Sequence, residues 1–259
     1  MKGALAGVKG LVLDLDGTVY QYGRPLPGAA DFLRALDAGG VPWVFCTNTT
    51  SRSRATLARE LDAMGIPVEP AKILTAAVVG RERLLREGLS RCLAVVTDAL
   101  REDLAGLELD APEPQAVVIG DAGDGFTFQR LNEAFLALQG GARLVALAKN
   151  RYFSFRSGGG LTLDCGPFVA ALEYAARCEA ILVGKPSTLF FQAAFQAVGV
   201  PPGQVAVIGD DVESDVAGGQ AAGARGILVR TGKFRGADLQ REIRPHAVVD
   251  SLGALTADV

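Results

Sequence analysis

The chain has 259 residues, 49% of them hydrophobic and 21% charged, a balance that belongs to a globular protein and excludes a disordered or fibrous one. Its 26 basic and 29 acidic residues leave a net charge of −3, and the basic ones are scattered, so nucleic acid is not an expected partner. A chain of this length can bury one large core or two smaller ones, and two domains of ordinary size are the favoured arrangement. Short β-branched runs alternate with helical periods from end to end, the pattern of parallel sheets flanked by helices. Residues 11–13 predict the first strand, cut off by the turn-forming Asp16-Gly17. A helix over 29–38, ended by Gly39-Gly40, leads into a buried strand over 41–46. Ser51 is the expected cap of the next helix, whose Leu57, Leu61 and Met64 recur at helical spacing until Gly65 stops it, and a strand at 73–74 follows.

After about Ala76 the alternation begins again, with strands over 93–96, 116–119 and 144–148 and helices over 128–138 and 167–177. From Ile181 the pattern reads strand, Lys185-Pro186, helix to Val198, strand 205–208, helix 216–222 and strand 227–229. The fold class is therefore α/β: a doubly wound parallel core domain from residues 1–77 and 181–259, with a second α/β domain inserted at 78–180.

His246 is the single histidine, which removes Ser-His-Asp triads, Cys-His pairs and HExxH zinc sites. Acid–base chemistry then falls to carboxylates or lysine, and His246 reads as a surface residue at a strand start. Cys46, Cys92, Cys165 and Cys178 form no zinc spacing and are too few to staple the chain, which fits a reducing cytoplasm. MKGALAGVKG holds no signal-peptide core and no segment approaches the ~18 apolar residues of a spanning helix. A soluble, unexported protein without a membrane partner is expected.

Asp14-Leu15-Asp16-Gly17-Thr18 follows directly on an apolar strand, so both carboxylates stand at its C-terminal end, where open parallel sheets place their ligands. Carboxylates two apart can share a divalent cation, and one can attack phosphorus while the other shuttles protons. A calcium loop is disfavoured, because Val19-Tyr20-Gln21 supplies no further acidic ligand. Gly209-Asp210-Asp211-Val212-Glu213-Ser214-Asp215 repeats the logic at the end of another apolar strand, and beside Asp14 and Asp16 it would complete an oxygen site suited to Mg²⁺. Thr47-Asn48 offers a hydroxyl, an amide and backbone N–H groups ahead of a helix, and Lys185, set between Gly184 and Pro186, can reach an anion. Each of these alone would be an ordinary turn, cap or solvated lysine. Their conjunction at four strand ends is what carries chemistry.

Those four ordered motifs resemble the haloacid dehalogenase superfamily of phosphohydrolases. The insertion is similar to the large α/β cap of its branch that includes pyridoxal phosphate, phosphoglycolate and nitrophenyl phosphatases. Val118-Ile119-Gly120-Asp121-Ala122-Gly123, Arg151-Tyr152, Gly166-Pro167-Phe168, Ala171-Leu172-Glu173-Tyr174-Ala175 and Val229-Arg230-Thr231-Gly232-Lys233-Phe234-Arg235 look like the phospholysine phosphohistidine inorganic pyrophosphate phosphatase subfamily. The resemblance covers most of the chain. It implies a Mg²⁺-dependent phosphatase acting on a small phosphorylated substrate through an aspartyl-phosphate, with Asp14 as nucleophile and Asp16 as general acid/base. Mg²⁺ would be held by the Asp14 and Asp210 carboxylates and the Asp16 backbone carbonyl, with Asp211 and Asp215 supporting the site from behind. Thr47, Asn48 and Lys185 would hold the phosphoryl oxygens.

In the cap, Arg151 is the residue expected to grip the non-reacting end of a substrate. Its neighbours Tyr152, Phe153 and Phe155 read as packing. Phe153 stands where relatives often carry a second tyrosine, and Ser157-Gly158-Gly159-Gly160 is a local variation, so the substrate stays open among sugar phosphates, phosphoglycolate, pyridoxal phosphate, pyrophosphate and phosphoamidates. The alternatives are a phosphomutase or phosphotransferase on the same core, or a binding protein that keeps the fold without turnover. A homodimer formed through the cap is a further expectation.

Overall fold

The computed structural model describes residues 1–154 and 160–259, so Phe155 and the run 157–159 lie outside the described residues. Six strands form the larger sheet: β1 (Gly10–Asp14), β2 (Trp43–Thr47), β3 (Ile73–Thr75), β4 (Val205–Gly209), β5 (Arg225–Val229) and β6 (Ala247–Val249). Every residue of β1, β2 and β4 is buried, as their unbroken apolar runs require of strands covered on both faces. Their order is β3-β2-β1-β4-β5-β6, and β1 pairs in parallel with both β2 and β4. Sequence order therefore runs outward in both directions from β1 and β4. That reversal point, at the strands' C-terminal ends, is where open α/β sheets hold ligands.

The surrounding core gathers Leu11, Leu13, Phe32, Phe45, Leu61 and Ile208, all essentially without solvent contact. At roughly 1.5–3 kcal/mol for each large apolar side chain, this burial fixes the strand ends that carry the polar motifs. The helices Ala29–Ala38, Arg54–Ala63 and Thr188–Val198 belong to the same α/β alternation, and Gly65, at φ +77°, ends the second of them as expected. Trp43, the single tryptophan, begins β2; its indole N–H donates to Asp37 Oδ1 at 2.9 Å, and Lys72 Nζ sits 3.9 Å from the ring centroid.

The chain divides into two compact units, one of residues 1–47, 55–74 and 185–259, the other of 48–54 and 75–184. The sequence reading kept residues 48–54 with the core. Two of their contacts lie inside the second unit: Thr50 Oγ1 accepts from the Asp121 N–H at 2.9 Å, and Thr97 Oγ1 donates to the Ser51 carbonyl at 3.1 Å. Ser51 is also not the helix cap. Helix 54–63 starts three residues later, and its first N–H, that of Arg54, donates to Asp103 Oδ2 at 2.9 Å.

Within the second unit five parallel strands run in the order Ile181–Leu182, Arg143–Ala146, Ala116–Ile119, Arg91–Val95 and Glu108–Leu109. The helices Phe128–Gln139 and Gly166–Ala176 lie within a residue of their expected bounds. Helix Ala76–Arg86 was not anticipated, because Ala76 to Val79 is a continuous apolar run with no helical period; Thr75 starts it by accepting from the Val78 N–H. An antiparallel pair, Tyr152–Ser154 with Leu161–Leu163, was also unforeseen.

Candidate active site

Asp14 ends β1, and its register partner Cys46 stands one residue before Thr47, the last residue of β2. Beyond Asp14 the chain turns sharply: the Gly17 N–H donates to the Tyr20 carbonyl at 2.7 Å, and Thr18 Oγ1 donates back to Asp14 Oδ2 at 3.1 Å. Gly17 has φ +91°, and a Cβ there would lie 2.1 Å from Asp210 Oδ2, so this turn accepts no other residue without displacing that carboxylate. Asp210 follows directly on β4, the strand beside β1.

Lys185 opens the segment ahead of helix Thr188–Val198 and is 4% exposed. Its ammonium donates to Asp14 Oδ1 and to Asp215 Oδ1, each at 2.6 Å, and to the Cys46 carbonyl at 3.3 Å. Asp215 reaches it from the turn after β4. There the expected helix begins early, at Val212, as a widened six-residue π-type turn to Ala217 that passes into the α-helical Gly218–Ala221. Such turns are concentrated at functional sites. The Asp211 side chain caps it by accepting from the Glu213 and Ser214 N–H groups, both at 3.0 Å, while the Asp211 N–H donates to Asp215 Oδ2 at 3.2 Å. Gly209 leaves the space, since a Cβ on it would come within 2.2 Å of the Asp215 carboxyl.

Asp14, Asp210 and Asp215, all buried, each present a carboxylate oxygen within 4.8 Å of the others, a spacing that one metal ion could bridge. Burial first, and then the facing Asp14 and Asp215, push Asp210 up to about 8. Burial and Asp14 likewise raise Asp215 to about 6, against the opposing pull of Lys185. For Lys185 burial works downward, yet the two carboxylates overcome it and hold the ammonium charged well above the usual lysine range. Burial drives the Cys46 thiol far up, against the pull of Lys185 and with Asp14 and Asp215 adding to the rise, so it is no nucleophile.

The sequence-derived residues are thus sorted. Hydrogen bonds join Asp14, Lys185, Asp215 and Asp211 in the core unit, Asp210 brings its carboxylate within 4.8 Å of those of Asp14 and Asp215, and Thr47 is buried at the neighbouring strand end. Asp16 is exposed and its carboxylate is outside the three-carboxylate group; the resemblance asks only its backbone carbonyl to serve as a ligand. Asn48 opens the second unit, where its Oδ1 lies 2.7 Å from the position a Cβ would take on Gly184. Arg151 is exposed, immediately ahead of Tyr152–Ser154. Thr231, Gly232 and Lys233 received no role from the sequence, yet they touch Gly17 and Asp210.

An all-oxygen carboxylate cluster around a buried lysine, at the reversal point of a doubly wound sheet, defines a site built for anionic, hydrolytic chemistry. The profile of the haloacid dehalogenase-like hydrolases matches residues 11–110, and a second HAD-hydrolase-like profile matches residues 182–255. The chain is 38% identical to the human (Homo sapiens) phospholysine phosphohistidine inorganic pyrophosphate phosphatase, covering 96% of this chain and 93% of that one. It is 40% identical to a Bos taurus haloacid dehalogenase-like hydrolase domain-containing protein 2, covering 93% and 95%. Its fold superposes on the 4-nitrophenylphosphatase of Thermotoga maritima with a TM-score of 0.91 at 29% identity, over 99% of both chains. The chain belongs to the haloacid dehalogenase superfamily, among its phosphatases.

Proposed function

We propose that the chain is a Mg²⁺-dependent phosphatase of small phosphorylated metabolites that works through an aspartyl-phosphate on Asp14. The observation that carries this reading is the Asp14–Lys185–Asp215 bridge beside Asp210: a buried nucleophile held by an ammonium, with a carboxylate facing it across the strand ends. The donor set is hard oxygen, and the crowding that raises Asp210 is what a divalent cation relieves, so the residues fit the ion. Asp14 and Asp210, with the Asp16 carbonyl, would hold it, and Asp211 and Asp215 would fix them from behind. When bound, Mg²⁺ supplies positive charge that offsets the repulsion between these carboxylates and a phosphoryl group.

Asp14 then attacks phosphorus in line, forming the Asp14 O–P bond as the bond to the leaving oxygen breaks, and Asp16 gives that oxygen its proton. Asp16, now ionised, takes a proton from water; the resulting hydroxide attacks phosphorus, and Asp14 leaves as a free carboxylate. Lys185 shares its charge between Asp14 and the equatorial oxygens, which Thr47 and Asn48 also hold. In this reading residues 78–180 form a cap that selects the substrate through Arg151. The names of the relatives support pyrophosphate, phosphoamidate and aryl phosphate as the compounds to assay first. No helix among the described residues is long and apolar enough to cross a membrane. Four cysteines without a disulfide accord with a cytoplasmic setting, and the exposed Phe128 and Tyr174 offer apolar area for a homodimer through the cap.

The test is phosphate release from a panel of phosphorylated metabolites with and without EDTA, run on the native chain and on Asp14→Asn. Turnover should require the metal and fall by several orders of magnitude in the variant while the circular dichroism spectrum stays native. Full activity in EDTA, or a tenth of native activity in Asp14→Asn, would defeat the mechanism. Transfer of the phosphoryl group to an added alcohol in preference to water would assign a phosphotransferase instead.

A further inference from the structure

The segment after β5 carries no residue to which the mechanism assigns a task, yet it closes directly on Asp210 and on Gly17, the neighbour of Asp16. Lys233 donates its backbone N–H to Asp210 Oδ2 at 2.6 Å, and Thr231 Oγ1 donates to the Gly17 carbonyl, one residue beyond Asp16. Between them Gly232 stands at φ +56°; a Cβ there would lie 1.9 Å from Asp210 Oδ2 and 2.6 Å from the Gly17 Cα. The two glycine turns therefore pack backbone to backbone, and only glycine at both positions permits it.

The clamp is itself anchored. The Phe234 N–H donates to the Thr231 carbonyl at 3.1 Å, and the Phe234 ring packs against Val212, Val216 and Leu228. Lys233 Nζ lies 3.3 Å from Asp211 Oδ2, tying the same turn to the residue that caps the π-type turn carrying Asp215.

We propose that Thr231, Gly232 and Lys233 form a positioning clamp that orients the Asp210 carboxylate and the Gly17 turn next to Asp16 for metal binding. The inference rests on the metal reading of the cluster given above. A buried carboxylate with one oxygen held by a fixed N–H keeps one orientation toward a cation, and a hydroxyl on the Gly17 carbonyl fixes the Gly17–Thr18 peptide, and with it the turn that follows Asp16. Partners of this kind, bonded to ligands and not to the ion, are commonly worth 10–100-fold in metal affinity or activity.

The clearest test is Thr231→Val, which keeps the shape and removes the hydroxyl, set against Thr231→Ser, which keeps the hydroxyl. Mg²⁺ alone is titrated by calorimetry into each purified full-length chain, and kcat and KM are measured in parallel. Thr231→Val should weaken Mg²⁺ binding by about tenfold and lower kcat with KM little changed, while Thr231→Ser restores both. Gly232→Ala should abolish Mg²⁺ heat. Native Mg²⁺ affinity in Thr231→Val, or a Thr231→Ser that behaves as the valine variant, overturns the clamp and leaves the metal reading standing. A native chain that binds no Mg²⁺ overturns the metal reading, and the clamp with it. Melting temperatures in EDTA show whether a variant has folded; an unfolded Gly232→Ala leaves the decision to the threonine pair.

Discussion

Lys185→Met tests the arrangement at its centre, because it deletes the ammonium and keeps most of the bulk of its stem. The ammonium stands 2.6 Å from a carboxylate oxygen of Asp14 and of Asp215. At an effective dielectric constant of ~20 each contact amounts to about 6 kcal/mol of attraction, set against several kcal/mol for withdrawing each ion from water. The variant forfeits the attraction but leaves three buried carboxylates within 4.8 Å of one another. Removing one partner of such a group costs about 3–5 kcal/mol. Urea unfolding in EDTA, followed by circular dichroism, should therefore show a loss of that size. Saturating Mg²⁺ should recover part of it, since a divalent cation replaces the missing charge. Adding Asp215→Asn to the variant should cost less than the two single losses combined, because the second change removes a repulsion. A Lys185→Met chain within about 1 kcal/mol of the native one in EDTA, the range of an ordinary surface change, would refute the electrostatic reasoning.

The raised Asp210 and Asp215 set a pH dependence in the metal-free chain. A carboxyl whose folded value lies near 8 or 6, against about 4 unfolded, holds more protons folded than unfolded, so stability is greatest below pH ~4 for these groups and falls as pH rises to about 8. Melting temperatures in EDTA should show that decline and Mg²⁺ should flatten it; a rise over the same window would contradict the assignment. Asp16→Asn should lose more activity on an alkyl phosphate than on 4-nitrophenyl phosphate, whose leaving group needs no proton, and equal losses would reduce Asp16 to a structural part. Arg151→Ala should cost about 1–3 kcal/mol in kcat/KM on the preferred substrate and little on 4-nitrophenyl phosphate; the same fractional loss on both would remove it from substrate choice. Asp103→Ala strips the Arg54 N–H and the Thr75 hydroxyl of a buried acceptor and should destabilise the chain by about 1–3 kcal/mol, with native stability as the contrary result.

Asp14, Asp16, Lys185 and the 209–215 loop were legible because each follows an apolar run whose end can be read from hydrophobicity alone. Their meeting at one point follows from the strand order, in which β1 and β4 are neighbours despite nearly 200 intervening residues. The clamp was not legible in that way: Thr231 and Lys233 act through a hydroxyl and a main-chain N–H, and Gly232 through the absence of a Cβ, none of which leaves a chemical signature in composition. The start of helix 54–63 was misplaced for a related reason. Its first N–H is satisfied by Asp103, 49 residues away, where local spacing points to Ser51. Helix Ala76–Arg86 escaped because an apolar run that is buried on all sides loses the 3.6-residue period by which helices are recognised.

Trp43 gives the core unit a reporter of its own. No other tryptophan exists in the chain, and this one stands at the opposite end of β2 from Thr47, about 13 Å away along the strand. Its emission is fixed by a nearly dry pocket, an ammonium over the ring and a carboxylate on the indole N–H, all from the same unit. Fluorescence excited at the indole band therefore follows the opening of the core while remaining blind to the inserted unit, whose unfolding can be watched through backbone dichroism. Subtracting one transition from the other separates the two units' stabilities in the native chain, without a label and without cutting it.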